Sequence, residues 1–367
     1  MNQPFTQHLK KPELRVLRRH ISSLATLPES SAPVISAYID LRQPETASRS
    51  RFLMWATAAR NTLPKEMRGF FDEARTEALG VFAQKWPKEI LSVAVFVRGG
   101  EHPLLMALPF HVALEEHYEV ALRPSIFPLV QLKDRFHRFV LVICTEETSR
   151  IMELTIGEVT EEILTSRPDQ SQRLGRQLSR EHFHNRREED MRRFVRDQVE
   201  IITRLMERRG LNHLILAGHP RHVAMLRGQL PKALESRVVG SVFHAPNGSD
   251  FSPVLGQALE TFIAAEQNES RNTVERLHEH IRRGGLAVVG IHRCREVILA
   301  GAASQLVISE NLPHPDREEL VRLAITHDIP IEVCENDELL DGHGGIGCLL
   351  RFRLEHLEGD ETQIRSA

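Results

Sequence analysis

The chain reads as an α/β protein made of three consecutive α/β domains, and three observations lead there. Its 367 residues exceed what one ordinary hydrophobic core accommodates, so two or three domains are expected. Apolar residues recur at helix spacing in some segments and in short strand-like runs in others. In the middle and last thirds these two patterns alternate, which implies central, partly parallel sheets. With 41% hydrophobic and 26% charged residues, the composition is that of an ordinary globular protein rather than a disordered one. The expected boundaries are 1–130, 135–265 and 270–367.

The first domain opens with a helix over PELRVLRRHISSLATL and a strand over PVISAYIDL. Two helices follow, SRSRFLMWATAARNTL and RGFFDEARTEALGVFAQKW, the second amphipathic through Phe71, Ala74, Ala78 and Val81. ILSVAVFVRGG, HPLLMALPF and HVALEEHYEV then read as strands, with a turn at Gly99-Gly100. RPSIFPLVQLKD, punctuated by Pro124 and Pro128, reads as a linker.

The middle domain begins RFVLVICTEETSRIMELTIGEVTEEIL, which predicts strand, turn, strand, turn, strand with Gly157 at the second turn. A long charged segment intervenes before an apolar strand from Leu211 to Leu216. That strand runs into Ala217-Gly218-His219-Pro220, read as a turn because no nucleophile and base accompany it. Short helices over Arg221–Arg227 and around Lys232–Leu234, and a strand over Arg237–Phe243, complete the domain. Ser252 to Arg283 is a long helix broken by Gly284-Gly285. The third domain alternates LAVVG, IHRCREVILAGA, QLVIS, DREELVRLAITHD, IPIEVC and GHGGIGCLLRFRL.

The charged segment from Thr165 to Arg209 has two parts. Ser166 to His182 lacks an apolar period and carries Arg167, Arg173, Arg176 and Arg180 against only Asp169 and Glu181, so it reads as a basic loop. Beyond it Met191, Phe194, Val195, Val199, Ile202, Leu205 and Met206 recur at helix spacing. Arg186, Arg193 and Arg204 fall on the opposite face, with Arg196 beside them. A positively charged loop on a helical arm suits a phosphate-rich partner. The plainer alternative is a solvated, ion-paired face, through Glu189 with Arg193 and Glu200 with Arg204, each pair worth about 0.2–0.5 kcal/mol.

Several function classes are excluded or disfavoured. A net charge of −3 excludes a globally basic nucleic-acid coat, so any RNA binding must come from local patches. No apolar run reaches the roughly 18 residues of a membrane span, and the N-terminus has no apolar signal core, so a cytoplasmic, membrane-free protein is expected. Cys144, Cys294, Cys334 and Cys348 lack CxxC spacing and suit buried reduced thiols. The histidine pairs His182/His184 and His278/His280 read as surface or contact residues, and no metal or cofactor is expected. Gly342, Gly344 and Gly347 formally satisfy GxGxxG, but an acidic segment precedes them and a strand follows, so they are no dinucleotide fingerprint. GxxxxGK[ST], HExxH and GxSxG are absent.

Three stretches carry a family resemblance in the right order. VLVICTEETSRIMELTIGEV, HFHNRREEDMRRFVRDQVEII and GHGGIGCLLRFRL resemble segments of the archaeal and eukaryotic peptide-chain release factors and Pelota. More specifically, the chain is similar to the bacterial branch of that superfamily, which includes a ribosome hibernation factor. The resemblance implies a tRNA-shaped ligand of the ribosome's aminoacyl-tRNA site. Its first domain would face the decoding centre, its middle domain the peptidyl-transferase centre, and its last a translational GTPase such as elongation factor Tu. Partners would thus be ribosomal RNA and a GTPase, and the protein itself a monomer.

Two departures bear on activity. Where release factors carry Gly-Gly-Gln, the nearest counterpart here is Gly175-Arg176-Gln177, and arginine lacks the freedom of glycine at positive φ. No Asn-Ile-Lys-Ser stop-codon motif occurs among residues 50–75. The expectation is therefore a non-enzymatic factor of hibernation or rescue, with Gln177 as a weak catalytic candidate. Arg173, Gly175, Arg176, Gln177, Arg180, His182, His184, Asn185 and Arg186 are the expected RNA contacts. Two alternatives stay open: a peptidyl-tRNA hydrolase using Gln177, and an RNA- or protein-binding module acting off the ribosome.

Overall fold

The computed structural model describes residues 14–135, 138–145, 148–155, 158–166, 180–243, 251–335 and 337–353. The chain divides into two compact units: Met1–Arg135 together with Glu269–Ala367, and Phe136–Asn268 inserted between them in sequence.

The first segment of the discontinuous unit contains α1 (Leu14–Ala25), β1 (Val34–Asp40), α2 (Glu45–Thr62), a 3-10 turn, α3 (Arg68–Phe82), β2 (Ser92–Arg98), β3 (Leu104–Phe110), β4 (His117–Ala121) and α4 (Phe127–Arg135). The strands form an antiparallel sheet in the order β3-β2-β1-β4. Every residue of β1 and β2 is buried, because both faces of the sheet are covered. Against one face, Ile35, Ala37, Ile39, Val93, Val95 and Val97 pack on Phe52 and Ala56 of α2 and on Phe71, Ala74 and Ala78 of α3. On the other, the Tyr38 hydroxyl donates to the Ser125 carbonyl at 2.7 Å and the Ser125 amide donates to Ser36 Oγ at 2.9 Å.

The stretch read as a linker, RPSIFPLVQLKD, is instead the entry to α4. Ser125, Ile126, Phe127, Leu129, Val130 and Leu132 are buried. Pro128 sits in the first helical turn, where the missing N–H leaves no hydrogen bond unmade, so the proline does not break the helix. The HVALEEHYEV strand is also shorter than expected, beginning only at His117.

The inserted unit contains β5 (Phe139–Cys144), β6 (Thr148–Thr155), β7 (Glu158–Ser166), α5 (Arg180–Arg209), β8 (His213–Gly218), α6 (Pro220–Arg227), α7 (Lys232–Glu235), β9 (Val238–Val242) and the first part of α8 (Ser252–Arg282). Its sheet runs β7-β6-β5-β8-β9, antiparallel through β7-β6-β5 and parallel through β5-β8-β9. Alternate residues divide the core. Val140, Val142, Leu214 and Leu216 pack beneath α5 and α6, whereas Phe139, Leu141, Ile143, Ile215 and Ala217 pack beneath Val254, Ala258 and Phe262 of α8. Gly218 closes β8 with φ of 130°, and a Cβ there would lie 2.1 Å from the Cys144 carbonyl oxygen of the paired strand β5, so only glycine fits here. His219 then caps α6, its Nδ1 accepting from the Arg221 amide at 3.3 Å, which supports the turn reading of this segment. The Gly157 turn lies outside the described residues.

The last segment adds the second part of α8, then β10 (Ala287–Val289), α9 (Ile291–Leu299), β11 (Ala303–Ser309), α10 (His314–Thr326), β12 (Ile331–Cys334), α11 (Glu338–Gly342) and β13 (Ile346–Leu350). Strand order is β10-β13-β11-β12, with only β11-β12 parallel. The acidic segment before the glycines holds the helical turn α11, which the Asp337 carboxylate caps by accepting from the Leu340 amide at 2.7 Å. The fingerprint match spans a helix-to-strand turn, with Gly342 ending α11, Gly344 at φ 88°, Gly345 at φ 71° and Gly347 already in β13.

These first and last segments keep separate sheets yet share a buried polar junction within their unit. The Glu318 carboxylate of α10 accepts from Ser125 Oγ at 2.8 Å, the Ile126 amide at 3.0 Å and the Phe127 amide at 2.9 Å, capping α4. One turn on, Arg322 donates to the carbonyls of Leu24 (3.0 Å), Ala25 (3.1 Å) and Pro124 (2.6 Å). Asp134 accepts from the Val333 amide at 2.7 Å, tying α4 to β12. No helix among the described residues is long and apolar enough to cross a membrane.

Candidate nucleic-acid interface

Helix α5 is 30 residues long, about 45 Å at 1.5 Å per residue. Its sequence separates the faces as its period predicts: Phe194, Val195, Ile202, Leu205 and Met206 are buried, and Met191 and Val199 pack against the same cluster. The far end is anchored by the buried Glu153 of β6, which lies 3.4 Å from Arg138 Nη1 and 3.5 Å from Arg209 Nε. Arg138 also donates to the Arg209 carbonyl at 3.0 Å, fixing the end of the helix to the sheet. The arm is rigidly mounted where it leaves the sheet.

Its outer face is less neutralised than ion pairing would have it. Glu200 pairs with Arg204, as the sequence suggested. The Glu189–Arg193 pair is not formed, and neither Arg193 nor Arg196, both exposed, has a carboxylate partner among the described residues. An exposed guanidinium without a carboxylate is free to take phosphate in bidentate fashion. Arg193 and Arg196 were absent from the expected contacts although the helical period already put them on the outer face.

The other expected residues divide into two groups. Arg173, Gly175, Arg176 and Gln177 lie outside the described residues. Arg180, His182, His184, Asn185 and Arg186 all fall in the first two turns of α5. The loop is therefore shorter than Ser166–His182: β7 runs through Ser166 and α5 begins at Arg180. Arginine and glutamate are good helix formers, so the helix extends beyond its apolar stripe without a period to mark it. The N-terminus of α5 carries the positive end of a 30-residue helix dipole, a setting that favours anions.

All four cysteines are buried free thiols, as expected, and burial pushes the Cys144 thiol up to about 12, far from thiolate chemistry at neutral pH. Arg150 instead stacks over the Phe251 ring at 4.1 Å.

Comparison with known proteins places this architecture. Residues 124–263 match the model of the bacterial archaeo-eukaryotic release factor family 10, a span that opens on α4 and covers nearly the whole inserted unit. A protein pelota homolog of Thermococcus gammatolerans is 24% identical over 300 residues, covering 76% of this chain and 83% of that protein. Among solved structures, Archaeoglobus fulgidus Pelota is 14% identical, with 95% of each chain covered and a TM-score of 0.38. Dom34 of S. cerevisiae, described as a translation termination-like factor interacting with Hbs1, is 12% identical over 73% of this chain and 82% of its own, with a TM-score of 0.45. The middle segment thus matches the bacterial family 10 domain, and over 300 residues the chain is similar to a Pelota homolog.

Proposed function

We propose that this protein is a ribosome-binding translation factor that occupies the aminoacyl-tRNA site in hibernation or rescue and does not release peptides. The observation that carries the reading is the basic end of α5. Loop arginines, a helix N-terminus and the carboxylate-free Arg193 and Arg196 belong to one segment of the family domain. Gly175-Arg176-Gln177 is the nearest counterpart of the release factors' Gly-Gly-Gln, and arginine in place of the second glycine removes backbone freedom and adds a bulky charge. The last segment would meet a translational GTPase; a resemblance to the hibernation factor Balon favours elongation factor Tu.

Co-sedimentation with 70S ribosomes at two salt concentrations tests this. Binding should weaken with salt, and Arg173, Arg176 and Arg180 changed together to alanine should weaken it further, lowering the log–log salt slope by about 2 to 3. Wild-type protein left in the supernatant overturns the reading and favours an RNA or protein partner off the ribosome. Release of labelled peptide from stalled ribosomes, abolished by Gln177→Ala, would support the hydrolase instead.

A further inference from the structure

The pairing of β10 with β13 brings Arg351 and Arg353, which follow β13, to the same end of the last segment as Arg282 and Arg283 at the end of α8. Helix α8 ends at Arg282, and Arg283 follows it. Gly284, at φ 59°, reverses the chain while the Gly285 amide donates to the His280 carbonyl at 2.6 Å and the Gly284 amide to Ile281 at 3.1 Å. Strand β10 then pairs with β13 so that Ala287 faces Leu349, and the Leu350 amide donates to the Leu286 carbonyl at 2.9 Å. This register carries Arg351, Phe352 and Arg353 alongside the α8 terminus, and the Arg353 guanidinium donates to the Gly284 carbonyl.

Cations at a helix C-terminus are favourable by themselves, so Arg282 and Arg283 have a structural explanation in the helix dipole. That explanation extends to Arg353, whose guanidinium donates to the Gly284 carbonyl, but not to Arg351, which has no bond to the α8 terminus among the described residues. Only Arg283 has a carboxylate, Glu279 at 2.8 Å, while Arg282 and Arg351 have none among the described residues. All four are exposed, and Phe352 between two of them is itself 50% exposed. Exposed like charges at one end of a segment repel one another, and an anion among them relieves this. An exposed aromatic ring among guanidinium groups adds a stacking platform for a base, which an acidic protein surface would not use.

We infer that Arg282, Arg283, Arg351, Phe352 and Arg353 form a second RNA-binding surface that takes phosphate groups and an unpaired base. As a contact to ribosomal RNA it rests on the proposed function, but its chemistry stands without it. The test uses the full chain and a labelled RNA hairpin with a single-stranded loop, its affinity followed against salt. Arg282→Ala with Arg351→Ala should lower the log–log salt slope by about 1.5, two phosphate contacts at 0.7–0.9 each. Phe352→Ala should weaken the hairpin about tenfold and leave a blunt duplex unaffected. The double variant should melt at the wild-type temperature, since neither side chain is paired among the described residues.

A salt slope equal to wild type in the double variant overturns the inference, as does a wild-type protein that fails to bind the hairpin. Failure of the two readings is separable. If only the Arg173/Arg176/Arg180 variant loses ribosomes and the hairpin slope is insensitive to Arg282 and Arg351, the second surface falls and the proposed function stands. If the protein ignores ribosomes yet its hairpin slope depends on Arg282 and Arg351, the reverse holds.

Discussion

Replacing Glu318 with alanine should loosen the junction between the first and last segments by about 3 kcal/mol. The carboxylate accepts three hydrogen bonds of 2.8 to 3.0 Å, from Ser125 Oγ and from the amides of Ile126 and Phe127. It also lies 4.0 Å from the buried Arg322 guanidinium. Removing one member of a buried charged pair costs about 3–5 kcal/mol, because the partner stays desolvated. The lower end applies here, since Arg322 keeps its three carbonyl acceptors. Both tryptophans, Trp55 and Trp86, belong to the first segment, so intrinsic fluorescence during urea unfolding reports on this unit. Amide exchange at Ile126 and Phe127 reads the same junction locally and should accelerate about 100-fold. Glu318→Gln, which keeps an acceptor oxygen, should lose less. A loss below about 1 kcal/mol with unchanged exchange would refute the reasoning that the carboxylate caps α4 and holds the segments together.

Four further outcomes follow from the same geometry. Gly218→Ala should cost about 1–3 kcal/mol or prevent folding, because its Cβ would overlap the Cys144 carbonyl and φ is positive; a near-neutral melt would contradict the close approach to β5. Phe262→Ala removes the ring stacked on Phe139 at 4.5 Å and should destabilise the inserted unit by about 3–5 kcal/mol, read by circular dichroism. The Arg51 guanidinium holds the Glu116 carboxyl below its ordinary range, so the pair stabilises at neutral pH. That contribution is lost as pH falls through the depressed value, and Arg51→Ala should raise the Glu116 titration and flatten the acid limb of stability. Iodoacetamide at pH 8 should leave native Cys144 and Cys334 unmodified, since burial raises each thiol to about 12, and label them only on unfolding.

Much of the fold was legible wherever apolar period and turn residues agreed. The α5 face from Met191 to Met206, the alternating last segment and the four buried thiols all follow from spacing alone. The misreading at residues 123–134 has a physical cause. Pro124 and Pro128 are turn signals only until a distant carboxylate, Glu318, caps the amides behind them, and no local pattern carries that information. ENDELLD likewise hides a helical turn too short for a period. At the candidate interface, the exposure of Arg193 and Arg196 was readable from the period. That Glu189 leaves Arg193 unpaired is a matter of side-chain conformation, on which four-residue spacing is silent. The surface formed by Arg282, Arg283, Arg351 and Arg353 was invisible in the sequence, because strand register alone brings residues about 70 apart to one end.

Competition for the aminoacyl-tRNA site separates binding there from binding elsewhere on the ribosome. Purified protein would be sedimented with 70S ribosomes whose aminoacyl-tRNA site is empty or filled with tRNA. The account predicts stoichiometric binding to the first and exclusion from the second. Equal binding to both would place the protein elsewhere on the ribosome and contradict the account.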